Sequence, residues 1–433
     1  MKTEEKGRKG KALSRREFLK TSAIGVAGVA AGSLLGARTG IAQKAAQKSI
    51  KIGCFGAYSG PAAEAGIGSV NGLILWADKV NREGGLLGRQ VEIINRDSEG
   101  KPEQGVRYAR DYAAQGYDFI YQYGPSSESF AVSAVSTELK KPILSNCNGT
   151  DYTADPKVRS PYCFRTAQTS LYNAICFAQC AAKLSKELGL NKWYTIGADY
   201  VYGRESVRDW MAELMKKNPQ VQIAGQGWPK LFEADYTPYI TQIANAKPDA
   251  GICITYTGDT ISFVKQGVMY GIFEKTKFFF VDLAFAVQPI VKVQGKFVGG
   301  LYSRLGYARF APDTKANHDL NDSYVKRFSI NPNEYVWRGY TAGVVMEGAV
   351  KKARSTDVEK VIKAMDDLTV PSPIGVGPGG TVTMRGRDHQ LINYADGWAA
   401  STAEAPYFAH PYLVSWDDMI QEETVWLKNK GWL

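Results

Sequence analysis

Two adjacent serines, Ser126 and Ser127, follow Tyr123-Gly124-Pro125 at the end of one apolar run and precede a helical one. Hydroxyls and unpaired backbone N–H groups at a helix start attract anions, so this position suits a carboxylate; it equally suits plain capping of the helix. Asn148 and Thr150 lie in the segment Asn146–Thr150 after the next extended run, and Tyr58 lies in Tyr58-Ser59-Gly60-Pro61 after the first. Tyr202 and Tyr256 occupy two loops of the second half, where they bind a ligand or serve as ordinary walls. Asp282 ends a strand of Phe and Val, where its carboxylate balances a ligand ammonium or caps the next turn. Tyr58, Tyr123, Ser126, Ser127, Asn148, Thr150, Tyr202, Tyr256 and Asp282 are therefore the expected ligand-binding set. Hydroxyls, amides and phenol rings bind small molecules, but these loops carry no His, no nucleophile beside a base and no metal triad. We expect no catalytic residue, no cofactor and no metal.

Other motifs are weaker. Gly66-Ile67-Gly68 departs from the dinucleotide pattern because Asn71 stands where its third glycine is required, and Gly375 to Gly380 lacks a strand-to-helix context; both read as turns. Cys54 and Cys253 sit in apolar strand-like runs as small hydrophobes, and Cys176 and Cys180, four apart on a helix, have poor geometry for a disulfide.

The elements that must position these loops alternate. Strands are expected at Ser49–Phe55, Gln90–Asn95, Phe119–Tyr123 and Pro142–Ser145, with helices at Val70–Arg82, from Pro102 to about Gln115, and at Phe130–Leu139. A second set follows: helices at Leu171–Leu188, Glu205–Lys217, Pro238–Asn245 and Thr260–Tyr270, and strands at Lys192–Ile196, Val221–Gln226, Ala250–Thr255 and Lys277–Val281. Three further helices, Asn317–Phe328, Thr341–Ala353 and Val358–Asp366, return to cover the first sheet. Such alternation gives an α/β fold of two mostly parallel sheets flanked by helices, and ligands of such sheets bind at the carboxyl ends of the strands.

The amino terminus has a different purpose. Ser14-Arg15-Arg16-Glu17-Phe18-Leu19-Lys20 runs into the uncharged stretch Thr21–Leu35, a basic n-region before a weakly apolar h-region too short for a permanent anchor. Gly40-Ile41-Ala42 supplies small residues for cleavage after Ala42. The run from Ser14 to Lys20 resembles the twin-arginine export signature, which implies passage through the twin-arginine translocase as a folded protein. Residues 1–42 hold nine Lys or Arg and three Asp or Glu of the chain's 53 and 43, so the remainder carries a formal net charge of +4. A charge that small, with no basic stripe, argues against a nucleic-acid partner.

Along its mature length the chain resembles the periplasmic substrate-binding proteins of ABC importers for branched-chain amino acids. The resemblance is carried by Lys51-Ile52-Gly53 with Tyr58-Ser59-Gly60-Pro61, by Asn81-Arg82-Glu83-Gly84-Gly85-Leu86-Leu87-Gly88-Arg89, and by Tyr123-Gly124-Pro125-Ser126-Ser127. Phe164-Arg165-Thr166, Asp199-Tyr200 with Tyr202-Gly203, and Lys247-Pro248-Asp249 extend it. It implies a two-lobed fold with three hinge crossovers, near Thr166, near Arg304 and near Arg385 to Leu391, closing on its ligand. Lobe I is then expected at 43–165 and 305–388, and lobe II at 166–304 and 389–433. The resemblance implies that the serine pair and the Asn146–Thr150 loop hold a ligand carboxylate, that Tyr202 covers it, and that Asp282, in place of the usual Glu, takes the ammonium. It implies a soluble periplasmic monomer, not an enzyme, that passes a branched-chain or other amino acid, or a related small carboxylate, to ABC permease subunits. The rival readings are an exported α/β enzyme such as a dehydrogenase and a ligand sensor that docks to a signalling receptor.

Export should fail when Arg15 and Arg16 are both changed to Lys, because Lys lacks the planar five-donor fork of Arg. Immunoblots of fractionated cells should then find unprocessed protein inside; processed protein outside the cytoplasm would exclude the twin-arginine route.

Overall fold

The computed structural model describes residues 48–281, 283–309, 311–394 and 397–433, and the side chains among these except at 410–413. The expected export signal, with Arg15 and Arg16, and the expected ligand residue Asp282 lie outside them.

Fifteen strands are described: β1 (Ile50–Gly56), β2 (Val91–Asp97), β3 (Phe119–Tyr123), β4 (Ile143–Ser145), β5 (Cys163–Arg165), β6 (Lys192–Gly197), β7 (Gln222–Gly227), β8 (Ala250–Ile254), β9 (Lys277–Phe280), β10 (Tyr302–Arg304), β11 (Leu368–Pro371), β12 (Thr381–Arg385), β13 (Gln390–Ile392), β14 (Gly397–Ser401) and β15 (Phe408–Leu413). They form an eight-stranded sheet, ordered β11-β12-β13-β5-β4-β3-β1-β2, and a seven-stranded sheet, ordered β15-β14-β10-β9-β8-β6-β7. The central pairs are parallel, with β1 running alongside both β2 and β3, and β8 alongside β6 and β9. Antiparallel pairs occur towards one edge of each sheet, where β11, β12 and β13 pair and where β14 joins β10 to β15. All five residues of β3 and all five of β8 are buried. That is the signature of strands covered by helices on both faces, and it explains why their runs are apolar without alternation.

The longer helices are α1 (Ala63–Arg82), α2 (Pro102–Ala114), α3 (Ser126–Ala134), α4 (Ser170–Leu188), α5 (Val201–Lys217), α6 (Thr237–Ala246), α7 (Gly258–Met269), α8 (Val287–Gln294), α9 (Lys315–Phe328), α10 (Glu334–Ala353), α11 (Val358–Met365) and α12 (Trp416–Asn429). The chain passes between the sheets three times: from β5 into α4, from β10 towards α9, and from β13 to β14. Strand pairing carries the first sheet past the expected boundary at residue 388, because β13 bonds to β12 and Gln390 pairs with Arg165 of β5.

Several elements start earlier than their periodicity indicates. Helix α1 begins at Ala63 and not Val70, so Gly66-Ile67-Gly68 is helical, a correction to the turn expected there. These glycines clear neighbours: a Cβ on Gly66 would lie 2.0 Å from the Ala57 carbonyl oxygen, and one on Gly68 would lie 2.3 Å from the Asn333 side chain. Helix α10 begins at Glu334 and not Thr341, with the Asn333 side chain accepting from the Tyr335 N–H as its cap.

The pairing of α1 with α10 is a glycine contact. A Cβ on Gly72 would sit 2.0 Å from the Val336 carbonyl oxygen, one on Gly339 would sit 1.9 Å from that of Ser69, and one on Gly343 would strike the Trp76 ring. The backbones therefore touch, and Trp76 Nε1 donates to Glu347 across the same seam at 3.0 Å. Gly339→Val should force these helices apart and destabilise the protein by roughly 1–3 kcal/mol or more, the usual range for overpacking. Denaturant unfolding measures this, and a midpoint unchanged from wild type would mean that the helices have room to part.

A candidate ligand cleft between the two sheets

The carboxyl ends of the central strands converge on one cleft. From the first sheet, β3 leads to Tyr123, Gly124 and Ser126, and β4 leads to Asn146 and Asn148. From the second, β6 leads to Tyr200 and Tyr202, β8 to Thr255, Tyr256 and Thr257, and β9 to Val281 and Phe285. Asn173 of α4, Arg304 at the end of β10, and Tyr335 and Arg338 of α10 complete the lining. The space amounts to about 490 Å³ including its solvent-open part, within the range of small-molecule sites.

Of the expected ligand residues, Tyr123, Ser126, Asn148, Tyr202 and Tyr256 line this cleft. Tyr58, Ser127 and Thr150 do not. Tyr58 is turned into its own lobe, with its backbone N–H donating to Asp97 Oδ1 at 3.0 Å and its hydroxyl buried. Ser127 is only half-buried because α3 starts at Ser126, four residues before the expected start at Phe130, which turns the second serine off the cleft. Thr150 faces the other lobe, where its hydroxyl meets Ser170 Oγ at 2.6 Å, donates to Asp209 Oδ2 at 3.2 Å, and accepts from the Leu171 N–H.

The charged part of the cleft was not anticipated. Arg304 and Arg338 are almost fully buried and share one carboxylate. Arg304 Nη2 donates to Glu334 Oε1 at 2.6 Å, and Arg338 Nη2, one helical turn beyond Glu334, makes a short contact with the same oxygen. Arg304 also donates from Nε to the Val281 carbonyl at 3.1 Å and from Nη1 to Gln168 Oε1 at 2.8 Å. Two guanidinium groups thus converge on one carboxylate oxygen beside the cleft. The one sequence signal for this was Glu334 and Arg338 spaced i,i+4, and it was hidden because their helix starts earlier than its apolar periodicity.

The rest of the lining is aromatic. Tyr123 and Tyr335 pack edge to face with centroids 5.2 Å apart, and Tyr200 lies 6.0 Å from Tyr202 and 6.3 Å from Tyr256. Burial pushes the Tyr123, Tyr200 and Tyr256 phenols up from their ordinary range, so they remain neutral hydrogen-bonding groups.

Beside the cleft the lobes meet through acidic groups. Asp209 and Glu205 of α5 and Asp151 all have carboxyls raised by burial, Glu205 to about 7. Arg208 partly compensates, with its Nε 2.7 Å from Asp209 Oδ1 and its Nη2 3.7 Å from Asp151. Elsewhere the six cysteines are buried and none forms a disulfide. Among the described residues no group of three or more His, Cys, Asp or Glu could hold a metal ion.

Two α/β lobes with strand ends facing across a buried polar and aromatic cleft define a small-molecule binding protein of the two-lobed periplasmic type. The chain belongs to the periplasmic binding protein family, whose model matches residues 49–399. It is 21% identical over 334 residues to the Leu/Ile/Val-binding protein homolog 7 of Brucella abortus, covering 75% of this chain and 82% of that one. Its fold is similar to the solute-binding protein of an ABC transporter from Rhodopseudomonas palustris in complex with 3,4-dihydroxybenzoic acid, with a TM-score of 0.72 and 21% identity over 84% of this chain and 96% of that one. It is equally similar, with a TM-score of 0.72 and 23% identity over 86% and 98%, to an amino acid ABC transporter substrate-binding protein from Pseudomonas fluorescens.

The raised Glu205 carboxyl gives a pH test. A carboxyl whose pKa is raised above its unfolded value of 4.5 penalises the folded state once it ionises, so its cost is absent at low pH and grows as pH rises towards about 7. Glu205→Gln should therefore leave stability near pH 4.5 little changed and raise it by roughly 1–3 kcal/mol at pH 8 relative to wild type. Unfolding at both pH values, with equal effects of the substitution at the two, would exclude a buried, proton-binding Glu205.

Proposed function

We propose that this protein is an exported periplasmic receptor that captures a small carboxylate between its lobes and presents it to an ABC permease, without transforming it. The observation that carries this reading is the pair of buried arginines, Arg304 and Arg338, that line the cleft beside hydroxyls, amides and phenol rings. Guanidinium groups favour carboxylates by geometry as well as charge. Ser126 and Asn148 add polar contacts near the first turn of α3, whose unpaired N–H groups favour the same sign of charge.

Family membership supports the receptor role, and the similar structures from Rhodopseudomonas palustris and Pseudomonas fluorescens are binding proteins of ABC transporters. Among the described residues no helix is long and apolar enough to cross a membrane, which suits a receptor that relies on separate permease subunits. Ligand binding between lobes joined by three crossings favours hinge closure, and docking of the closed form would signal occupancy to the permease. The name of the Brucella abortus relative favours a second reading, in which the carboxylate belongs to an amino acid. An ammonium would then need an acid of its own, and Asp282 is the candidate.

Titration calorimetry with leucine, benzoate and its ring-hydroxylated forms tests the proposal. At least one should bind, and Arg338→Gln should weaken it about ten-fold or more, as expected when a charge-assisted hydrogen bond to a buried anion is lost. Asp282→Asn should cost a comparable factor for an amino acid and little for an acid without an amine. Failure of every carboxylate and amino acid to bind at millimolar concentration, or chemical turnover of any of them, would overturn the receptor reading.

A further inference from the structure

Glu205 reaches from one lobe to the other. It extends from α5 towards the loop after β4, where a Cβ on Gly149 would lie 3.2 Å from its Oε2 and 2.9 Å from the Phe130 ring of α3. The residue is almost fully buried, and Oε2 has no hydrogen-bond partner. Arg165, fully buried at the end of β5, attracts it electrostatically, but no hydrogen bond or ion pair joins the two. Arg165 Nη2 donates instead to the Thr150 carbonyl at 3.1 Å, its guanidinium lies 5.5 Å from the Tyr152 ring centre, and its Nε and Nη1 are unpaired. An uncharged carboxyl fits such a place far better than an ionised one, because burying a charge without a bonded partner is costly.

The charges around it point the same way. Arg208 and Asp209 come from its own helix, Asp151 and the Cys147 thiol from the segment after β4, and Arg165 from β5, while α3 presents the Phe130 ring. Arg208 is held by Asp209 at 2.7 Å and lies 3.7 Å from Asp151, α4 offers Asp209 the Ser170 hydroxyl at 3.3 Å, and Asp155 and Lys430 act on Asp151 with opposite signs. Three carboxyls, Glu205, Asp151 and Asp209, thus stand against two guanidinium groups among the described residues of this contact. One bound proton restores the balance. Burial, helped by Asp151 and Asp209 and opposed by Arg208 and Arg165, raises the Glu205 carboxyl to about 7.

We infer that closure of the lobes takes up a proton at Glu205, so that this receptor holds its ligand more tightly in mildly acidic surroundings and releases it more readily as pH rises. The inference rests on the receptor reading and adds a regulatory device to it. Opening about the three crossings draws α5 away from Gly149 and Phe130 and lets water reach the carboxyl, which then returns towards its ordinary value of 4.5. A carboxyl with the higher pKa in the closed form favours that form while it is protonated. Its support for closure is therefore present at low pH and is lost as pH rises through about 7.

The test is calorimetry on the whole secreted protein with leucine, benzoate and 4-hydroxybenzoate at pH 6 and pH 8, and at pH 6.5 in two buffers of different ionisation enthalpy. Whichever probe binds should do so about five-fold or more tightly at pH 6 than at pH 8, and the buffer pair should show uptake of part of one proton per ligand bound. Glu205→Gln, whose amide stays neutral, should match wild type at pH 6 within about three-fold, lose most of the difference between the two pH values, and give the same binding heat in both buffers. If the amide variant does not fold, as judged by circular dichroism, Glu205→Met supplies an uncharged side chain of similar length with the same expected result. Affinity independent of pH, proton release in place of uptake, or a pH dependence that survives unchanged in these variants would overturn the coupling while leaving the receptor in place. Binding of none of the three probes overturns both.

Discussion

The buried triad of Arg304, Glu334 and Arg338 ties the end of β10 to the first turns of α10. Arg304 closes the end of β10 and reaches the backbone at the end of β9 through Val281, the first inter-sheet crossing through Gln168, and α10 through Glu334. Arg338 joins the same carboxylate from one turn along α10. Ion pairs this deep in a protein repay their desolvation only when every hydrogen-bonding position is filled. The lobes, the crossing and the helix must all be correctly placed for that to hold, so the triad both reports and enforces the geometry of the cleft.

The triad is positioned by close packing without side chains. Gly72 and Gly339 allow the backbones of α1 and α10 to touch, which sets the depth at which Tyr335 and Arg338 enter the cleft. A helix held against another by larger side chains would stand off at 8–10 Å and could not carry the arginine as deep. On the other side, Thr169 caps α4 by accepting from the Tyr172 N–H, which fixes the first turn and with it Asn173.

Closure has its own chemistry. Thr150 and Ser170 share Asp209, and Asp151 faces Arg208, so hydroxyls and charged groups make up this part of the lobe contact beside the cleft. Polar contacts of this kind are made and broken at small net cost, because water replaces each lost partner on opening. Apolar closure would hold the lobes together without a ligand; a contact of hydroxyls and carboxyls leaves more of the balance to the ligand itself.

Much of this was legible in the sequence. The apolar runs fixed the buried parallel strands, with Phe119–Tyr123 appearing as β3 without change of bounds, and the loops after those runs held five residues that line the cleft. Strands and loop positions are local properties, set by which side chains can be buried and by where parallel strands leave their ends. Helix starts were less legible: the first turns of α1 and α10 are rich in glycine, aromatic and charged residues whose purpose is contact with the other helix or the cleft, so no apolar period marks them. The short antiparallel strands β11 to β15 went unread for a related reason, since they owe their pairing to sheet edges already in place. The amino-acid sequence alone therefore determined the alternating α/β architecture, the export signature and the polar, aromatic character of the binding loops. Only the tertiary structure decided which hydroxyls face the ligand and which face the opposite lobe, that residues 304, 334 and 338 become one buried charge system, and that Glu205 is buried against the opposite lobe. Those facts depend on distances between segments far apart in the chain, which no local pattern of residues can encode.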